Sequence, residues 1–381
     1  MIDEHSSMDS QIMSLDLLSR VLTGIPALPK EYLQCTFYDA PLLNPLLQII
    51  DIEPHRNYRS KAEFHGKFSI FWNIDSNLFE KIEWPILLNE AITLLGEVGY
   101  LVIATRDNEN GALFGLKNLV YRHPLRKVEL IDQFNTQNGL IISVIRVEKI
   151  GFDINPSKNW SFVFLSNGKK AERIKSTISQ IYVAKESFET LNKSEIDVEI
   201  LILGPRLNGV TNLPVRYFDE FIAPKDNTAR IGAKKNFGLS MATNPNVCLL
   251  HDRFSLDPNF FNNFDAWGYD FDYLTVEQFF DSGEKFSPIL GFDEFSYKKI
   301  QMFYYENSYQ YHPNGYINGG FIILKKYLHQ FCNFNPLLLH IEAEDIEIAN
   351  VLINFGILPR VNMYTYAKTE YTPVLNNLLR K

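Results

Sequence analysis

Trp160-Ser-Phe-Val-Phe-Leu165 and Val198-Glu-Ile-Leu-Ile-Leu203 are two short apolar runs separated by a polar, amphipathic stretch. Runs of this length, rich in branched and aromatic residues, read as strands buried on both faces. Between them, Lys170 to Leu191 carries helical periodicity, and Val215 to Ile222 supplies a third short strand-like segment. Strands that alternate with helices predict a parallel, doubly wound α/β sheet, which takes its ligands at the carboxyl ends of its strands. Chemistry is therefore expected just after each apolar run.

Several segments meet that expectation. Ser166-Asn167-Gly168 follows the first strand and is either a small loop for a nucleobase and ribose or a turn in which Asn167 caps the next helix. Gly204-Pro-Arg206 follows the second strand in the same way. Asn227 to Ala242 reads as a helix bearing Arg230, Lys234 and Lys235, and it leads into the strand Val247-Cys-Leu-Leu250, which ends in His251-Asp252-Arg253. A carboxylate delivered to a strand end suits a divalent cation under a nucleoside diphosphate, with Lys or Arg neutralising the remaining charge. The other reading is a surface salt-bridge triplet.

Tyr316-Ile-Asn-Gly-Gly-Phe-Ile-Ile-Leu324 joins a glycine pair to a buried strand. Glycines admit close approach of backbone to a sugar or diphosphate, and Asn318 supplies both a donor and an acceptor; the same residues also spell a hairpin turn. Glu342-Ala-Glu-Asp-Ile-Glu347 opens a helix that continues to Phe355, so its acids sit where the helix dipole favours the ionised form that a base requires. Acids are also common in first helical turns for that reason alone. His312 lies in an aromatic-rich loop and is either a metal ligand or a packing group. Trp267, Tyr269, Phe271 and Tyr273 are either core or a stacking platform for sugars.

Lys234-Lys-Asn-Phe-Gly238, Asn246 to Ser255, Asn318 to Lys325 and Glu342 to Glu347 follow one another in the order found in inverting GT-A glycosyltransferases of the bacterial surface-polysaccharide type, which this chain resembles from Trp160 to Leu352. The resemblance implies a GT-A-like, doubly wound mixed sheet over 159–381. It also implies a nucleotide-sugar donor, UDP-sugar favoured, and a glycan or lipid-linked glycan acceptor in capsule or lipopolysaccharide O-antigen synthesis. By the same resemblance Asp345 is the base and Glu344 binds a hydroxyl of the acceptor or sugar. The implied donor site comprises Ser166, Asn167, Gly204, Arg230, Lys234, Asp252, Arg253, Asn318, Gly319 and Gly320, with Mn2+ or Mg2+ on Asp252 and His312 as a further ligand. The family's strand-end motif holds a second acid; here Arg253 and Phe254 take its positions, which makes Arg253 itself a candidate phosphate contact.

Upstream, Phe152 to Asn159 is a polar linker containing Pro156 and marks a domain boundary. Before it the pattern is again α/β, with strands at Phe68 to Trp72, Tyr100 to Ala104 and Leu140 to Val147, a helix at Trp84 to Leu95, and Gly96 and Gly99 punctuating the step from helix to strand. Leu94-Leu-Gly-Glu-Val-Gly-Tyr-Leu-Val-Ile103 and its flanks resemble the second half of a class I methyltransferase. Such an enzyme needs a glycine-rich first turn, and 37–70 holds only Gly66. A degenerate, smaller Rossmann-like domain over 35–151 is therefore expected, after a leader over 1–34 whose Ile12 to Leu22 reads as an amphipathic helix. The rival functions are an active S-adenosylmethionine-dependent methyltransferase acting on a glycan and a non-catalytic glycan-binding assembly protein.

At 381 residues and 46% apolar composition, the chain has material for two packed cores. Its net charge of −8, with no basic stripe, disfavours nucleic acid as a partner. The three cysteines stand far apart, as suits buried thiols in a reducing compartment. No secretory leader pattern and no apolar run near the roughly 18 residues of a membrane span is visible. A cytoplasmic protein is expected, with peripheral attachment at the inner face of the membrane left open.

Overall fold

The computed structural model describes residues 34–37, 47–207, 214–219, 230–292, 302–304, 310–339 and 342–370; the expected helix over Ile12 to Leu22 lies outside them. The chain divides into two compact units, Met1–Glu53 with Tyr58–Ile154, and Pro54–Asn57 with Asn155–Lys381.

Unit 1 is a six-stranded sheet in the order β2-β1-β3-β4-β6-β5, built from β1 (Gln34–Thr36), β2 (Leu47–Ile49), β3 (Phe68–Asn73), β4 (Leu95–Thr105), β5 (Arg126–Asn135) and β6 (Ile141–Lys149). The first four strands are parallel, and β6 runs antiparallel to both β4 and β5. The helices α1 (Trp84–Leu94) and α2 (Leu113–Tyr121) complete the unit. Strand β4 begins on the residue after α1, so Leu95-Gly-Glu-Val-Gly99 is strand and not the punctuating turn its glycines suggest. The glycines serve packing instead: a Cβ on Gly99 would lie 2.8 Å from Leu95 Cβ. Strand β5 has no counterpart in the sequence reading. It is an edge strand, half-exposed and rich in charge, and so lacks an apolar run.

Unit 2 centres on a nine-stranded sheet with the strand path β11-β18-β12-β17-β10-β7-β8-β9, and β13 paired to β12. Strands β7 (Trp160–Leu165), β8 (Val198–Leu203), β9 (Val215–Phe218) and β10 (Asn246–His251) are mutually parallel. Strand β17 (Phe321–Lys325) inserts antiparallel between β10 and β12 (Tyr273–Phe280); β11 (Phe254–Leu256), β13 (Lys285–Phe286) and β18 (Arg360–Thr369) complete the sheet. A separate three-stranded sheet pairs β14 (Ile289–Phe292) with β15 (Met302–Tyr304) and β16 (Gly315–Ile317).

Strand alternation sorts side chains into two layers. Phe162, Phe164, Ile200, Ile202, Cys248 and Leu250 face one way, onto α3 (Ala171–Asn192) and α5 (Phe260–Trp267). Val163, Leu165, Leu201, Leu203, Val247 and Leu249 face the other, onto α4 (Ile231–Met241) and α6 (Glu344–Asn354). Helix α3 answers with Ile174, Ile178, Ile181 and Phe188, the 3–4 spacing that puts them on one face. Each such side chain, fully buried, contributes about 1.5–3 kcal/mol. With helices on both faces and antiparallel β17 inserted among parallel neighbours, unit 2 has the doubly wound mixed α/β architecture expected.

Trp267, Tyr269, Phe271 and Tyr273 are all buried, so none offers an open ring face to a sugar. Cys35 and Cys248 are buried free thiols, whereas Cys332 is partly exposed. Among the described residues, no helix is long and apolar enough to cross a membrane.

Candidate active site

The carboxyl ends of β7, β8 and β10 lie together because the three strands pair in register, His251 beside Leu165 and Leu165 beside Leu203. Ser166 N–H donates to Leu203 O at 3.0 Å, Gly168 N–H to Ser166 Oγ at 3.0 Å and Lys169 N–H to the Asn167 side chain at 2.9 Å. Asn167 thus closes its own turn, and Lys170, not Asn167, is the N-cap of α3. The Asn167 N–H donates to Asp252 Oδ2 at 3.2 Å, and Lys234 Nζ donates to Ser166 O at 2.7 Å. One carboxylate and one ammonium therefore brace the loop after β7. Arg230 is exposed at the N-cap of α4, one turn ahead of Lys234.

Gly204 holds φ at +141°, and a Cβ there would lie 2.3 Å from Ser166 O. Only glycine fits. Gly204→Ala is expected to cost about 1–3 kcal/mol through strain at that backbone, measured as a lower thermal midpoint; an unchanged midpoint would contradict the packing described.

Asp252 is buried, and burial raises its carboxyl above the ordinary range, opposed by the Asn167 N–H and by Lys234, Arg253 and Lys170. Burial likewise lowers Lys234 to about 8, against the pull of Asp252. Both partners shift towards neutrality, so desolvation outweighs their attraction. Arg253 is drawn down by burial too, and its Nε is buried with no hydrogen-bond partner among the described residues. Lys170 pairs with Glu370, while Arg173 on α3 donates to Arg253 O at 3.2 Å, Ser255 Oγ at 3.0 Å and Asp281 at 2.8 Å, fixing the turn after β10.

The Asn318-Gly319-Gly320 segment connects β16 to β17, which belong to different sheets, so it is not the hairpin turn its sequence also allows. Asn318 is buried and spent on the turn: its amide donates to Gln278 at 3.0 Å, and its oxygen accepts the Gly320 N–H at 3.2 Å. Gly320 O accepts the His251 N–H at 2.9 Å, and a Cβ on Gly320 would lie 2.9 Å from Arg253 Nη2. Gly319 N–H donates to Asp345 Oδ2 at 2.8 Å, and a Cβ on Gly319 would sit 2.9 Å from Glu344 Oε1 and 3.1 Å from Lys235 Nζ. The two glycines thread the backbone between Arg253 on one side and the acid pair on the other.

Lys235 is fully buried and pairs with Glu344 at 2.8 Å, its ammonium 4.9 Å from the centre of the Phe334 ring. Asp345 is partly exposed, and its Oδ1 accepts the Ile346 N–H at 3.0 Å. Burial and then the charge of Glu344 push its carboxyl up to about 6, against Lys235 and the Gly319 N–H. Tyr273 and Tyr316, both buried, feel Asp345 and Glu344, and their hydroxyls are pushed up by burial and then by those acids. The backbone at Ala343, the N-cap of α6, takes a left-handed conformation at φ 60°, a strain located beside the acid pair.

The sequence motif Lys234-Lys-Asn236 distributes three consecutive side chains to three targets. Lys234 reaches the loop after β7, Lys235 reaches Glu344, and the Asn236 side chain exchanges two hydrogen bonds with the Phe334 backbone at 2.7 and 2.9 Å. Lys170, Arg173 and Tyr316 escape a reading of the sequence by motif, and so does the pairing of Lys235. Their relevance comes from contacts across long stretches of chain, which no local pattern carries.

Among the described residues, the groups around Asp252 do not fit a divalent cation. Among the described residues, no three His, Cys, Asp or Glu side chains gather as a metal site. Asp252 stands as one carboxylate among the cations Lys234, Arg253 and Lys170. His312 precedes β16, where its carbonyl accepts the Gly315 N–H at 3.0 Å.

No family model and no curated sequence matches the chain. Solved structures do resemble it. An inositol-1-phosphate CTP transferase from T. maritima matches with a TM-score of 0.32 and 8% identity, over 58% of this chain and 92% of that one. A Drosophila beta-1,4-galactosyltransferase 7 mutant complexed with manganese, UDP-Gal and xylobiose matches with a TM-score of 0.32 and 9% identity, over 54% and 65%. S. aureus TarS in complex with UDP-GlcNAc matches with a TM-score of 0.34 and 13% identity, over 57% and 60%. The match thus spans less than two thirds of the galactosyltransferase and TarS chains.

Proposed function

We propose that unit 2 transfers a glycosyl group from a nucleoside-diphosphate sugar to a hydroxyl of a glycan acceptor, with inversion at the anomeric carbon. The observation that carries this reading is the Gly319–Gly320 turn, which has the strand-end cations on one side and the Glu344–Asp345 pair on the other. A leaving diphosphate and an attacking hydroxyl need opposite charge environments a short distance apart, and this turn separates two such environments.

In the reaction, Asp345 takes the acceptor hydroxyl proton as that oxygen attacks the anomeric carbon. The bond from that carbon to the phosphate oxygen breaks, and its electron pair leaves with the nucleoside diphosphate. Glu344, held by its pairing with Lys235, orients a hydroxyl of the acceptor or sugar. A base near pH 6 is well matched to neutral conditions, so the rate is expected to rise as pH rises through about 6 and then level off. Stability moves the other way. The folded state holds the Asp345 proton more tightly than the unfolded chain, so its contribution is complete in acid and is lost as pH rises through about 6. A pH–rate profile and urea midpoints across the same range check both signs; a rate falling with pH through that window would contradict the assignment.

The donor is a UDP-sugar in this reading, and the acceptor is a glycan or lipid-linked glycan of a bacterial capsule or O-antigen, handled in the cytoplasm or at the inner membrane face. Unit 1 serves as a scaffold over 35–151 of the methyltransferase type. Its parallel strands, with antiparallel β6 between β4 and β5, support that assignment, and the lone Gly66 before β3 supports a degenerate cofactor site. The test is a screen of UDP-, GDP-, CDP- and dTDP-sugars for nucleotide release by the purified chain. Release from no donor, together with a thermal shift by S-adenosylmethionine, would favour the methyltransferase reading instead.

A further inference from the structure

We propose that this site holds the donor diphosphate with side-chain cations, Arg253 and Lys234, in the place where a divalent metal would stand, and that Asp252 positions the loop that receives the nucleotide. The proposal rests on the donor-site reading above.

Charge is the first ground. Around Asp252 stand Lys234, Arg253 and Lys170, and among the described residues the other acid acting on Arg253 is Glu370, itself paired to Lys170. Among the described residues three cations face two carboxylates, so this cluster is net positive and suits a polyanion better than a dication. The second ground is geometry. Asp252 Oδ2 accepts the Asn167 N–H, which ties the carboxylate to the loop after β7. Ser166 O, in that same loop, accepts from Lys234, so the acid and the lysine clamp one loop from two directions. The third ground is a donor without an acceptor: Arg253 Nε is buried and unpaired among the described residues. Its guanidinium lies against Gly320, where a side chain would collide with it at 2.9 Å. A buried, unsatisfied guanidinium N–H is costly and is relieved by an anionic oxygen; Arg is well suited to phosphate because its planar fork matches two oxygens. Lys234, partly buried beside it, supplies the second positive charge.

The experiment uses the full chain and isothermal titration calorimetry with UDP, GDP, CDP, dTDP and inorganic pyrophosphate, each in EDTA and in manganese chloride. The expected result is binding of one nucleoside diphosphate with an affinity that differs by no more than about twofold between EDTA and manganese, well under the tenfold step of one lost charged contact. Arg253→Met, which keeps an unbranched apolar stem but removes the guanidinium that lies 5.4 Å from the centre of the Phe254 ring, is expected to weaken that binding about 10- to 100-fold, with partial recovery in Arg253→Lys. Binding only in manganese overturns the proposal and leaves the donor-site reading standing. Unchanged binding in a folded Arg253→Met also overturns it. If no nucleoside diphosphate and no pyrophosphate binds under either condition, the donor-site reading falls and the proposal falls with it. Because the comparison of EDTA with manganese is made on the wild type, the proposal stays testable even where the variants fail to fold.

Discussion

Asp345→Asn is expected to lower glycosyl transfer by about 10²–10⁴-fold, the usual worth of a positioned general base, while leaving nucleoside diphosphate affinity close to wild type. The two halves of the result follow from the turn at Gly319–Gly320: Asp345 meets the Gly319 N–H whereas Arg253 meets Gly320, so loss of the carboxylate removes the proton acceptor and leaves the Arg253 cluster in place. Asparagine keeps the shape but has only one oxygen, whereas Asp345 accepts from both the Gly319 and the Ile346 N–H groups. A modest loss of stability therefore accompanies the substitution, and the rate should be measured well below the thermal midpoint. Nucleotide release at saturating donor, combined with calorimetric titration of the diphosphate, separates the two effects. A variant that retains its rate within a few-fold would remove Asp345 from the mechanism.

Lys235→Met is expected to destabilise unit 2 by about 3–5 kcal/mol, because it leaves the Glu344 carboxylate buried without its counter-charge. Methionine fills most of the volume and keeps an apolar contact with Phe334, so the loss comes from electrostatics more than from a cavity. The same logic predicts that Lys235→Met combined with Glu344→Gln loses much less than the two single substitutions added together, since no uncompensated charge remains. Urea unfolding followed by circular dichroism on the four proteins gives this coupling directly. A single-variant loss below about 1 kcal/mol, the value of an exposed pair, would mean that the pair is solvated in solution.

The two predictions probe residues that differ in how visible they are in the chain. Asp345 is recognisable as an acid in the first turn of a helix, and Asp252 as an acid closing an apolar strand, because helix starts and strand ends are written in local periodicity. Lys235 is equally visible as a residue and equally invisible in its role. It pairs with Glu344 109 positions later, and nothing in Lys234-Lys-Asn236 says which lysine turns towards which loop. The turn at Asn318–Gly320 is a sharper case. Its residues spell a hairpin, yet its two flanking strands belong to different sheets, so the hydrogen bonds that decide its shape come from His251, Gln278 and Asp345. The expected role of Asp252 as a metal ligand depends on what else approaches it, and the structure surrounds it with Lys234, Arg253 and Lys170. Strand β5 shows the complementary limit: at the sheet edge there is little burial, and without burial there is no apolar pattern to read.

By itself the sequence determined the layering of unit 2. Alternating residues on β7, β8 and β10 must bury both faces, and the 3–4 spacing on α3 gives one of those faces its cover, because these patterns act over a few residues through the hydrophobic effect. Tertiary structure alone decided the charge of the site. Which cation meets which carboxylate depends on strand order and on how closely glycine backbone lets distant loops approach, and electrostatic energy depends on that separation and on burial, neither of which is a property of neighbouring residues in the chain.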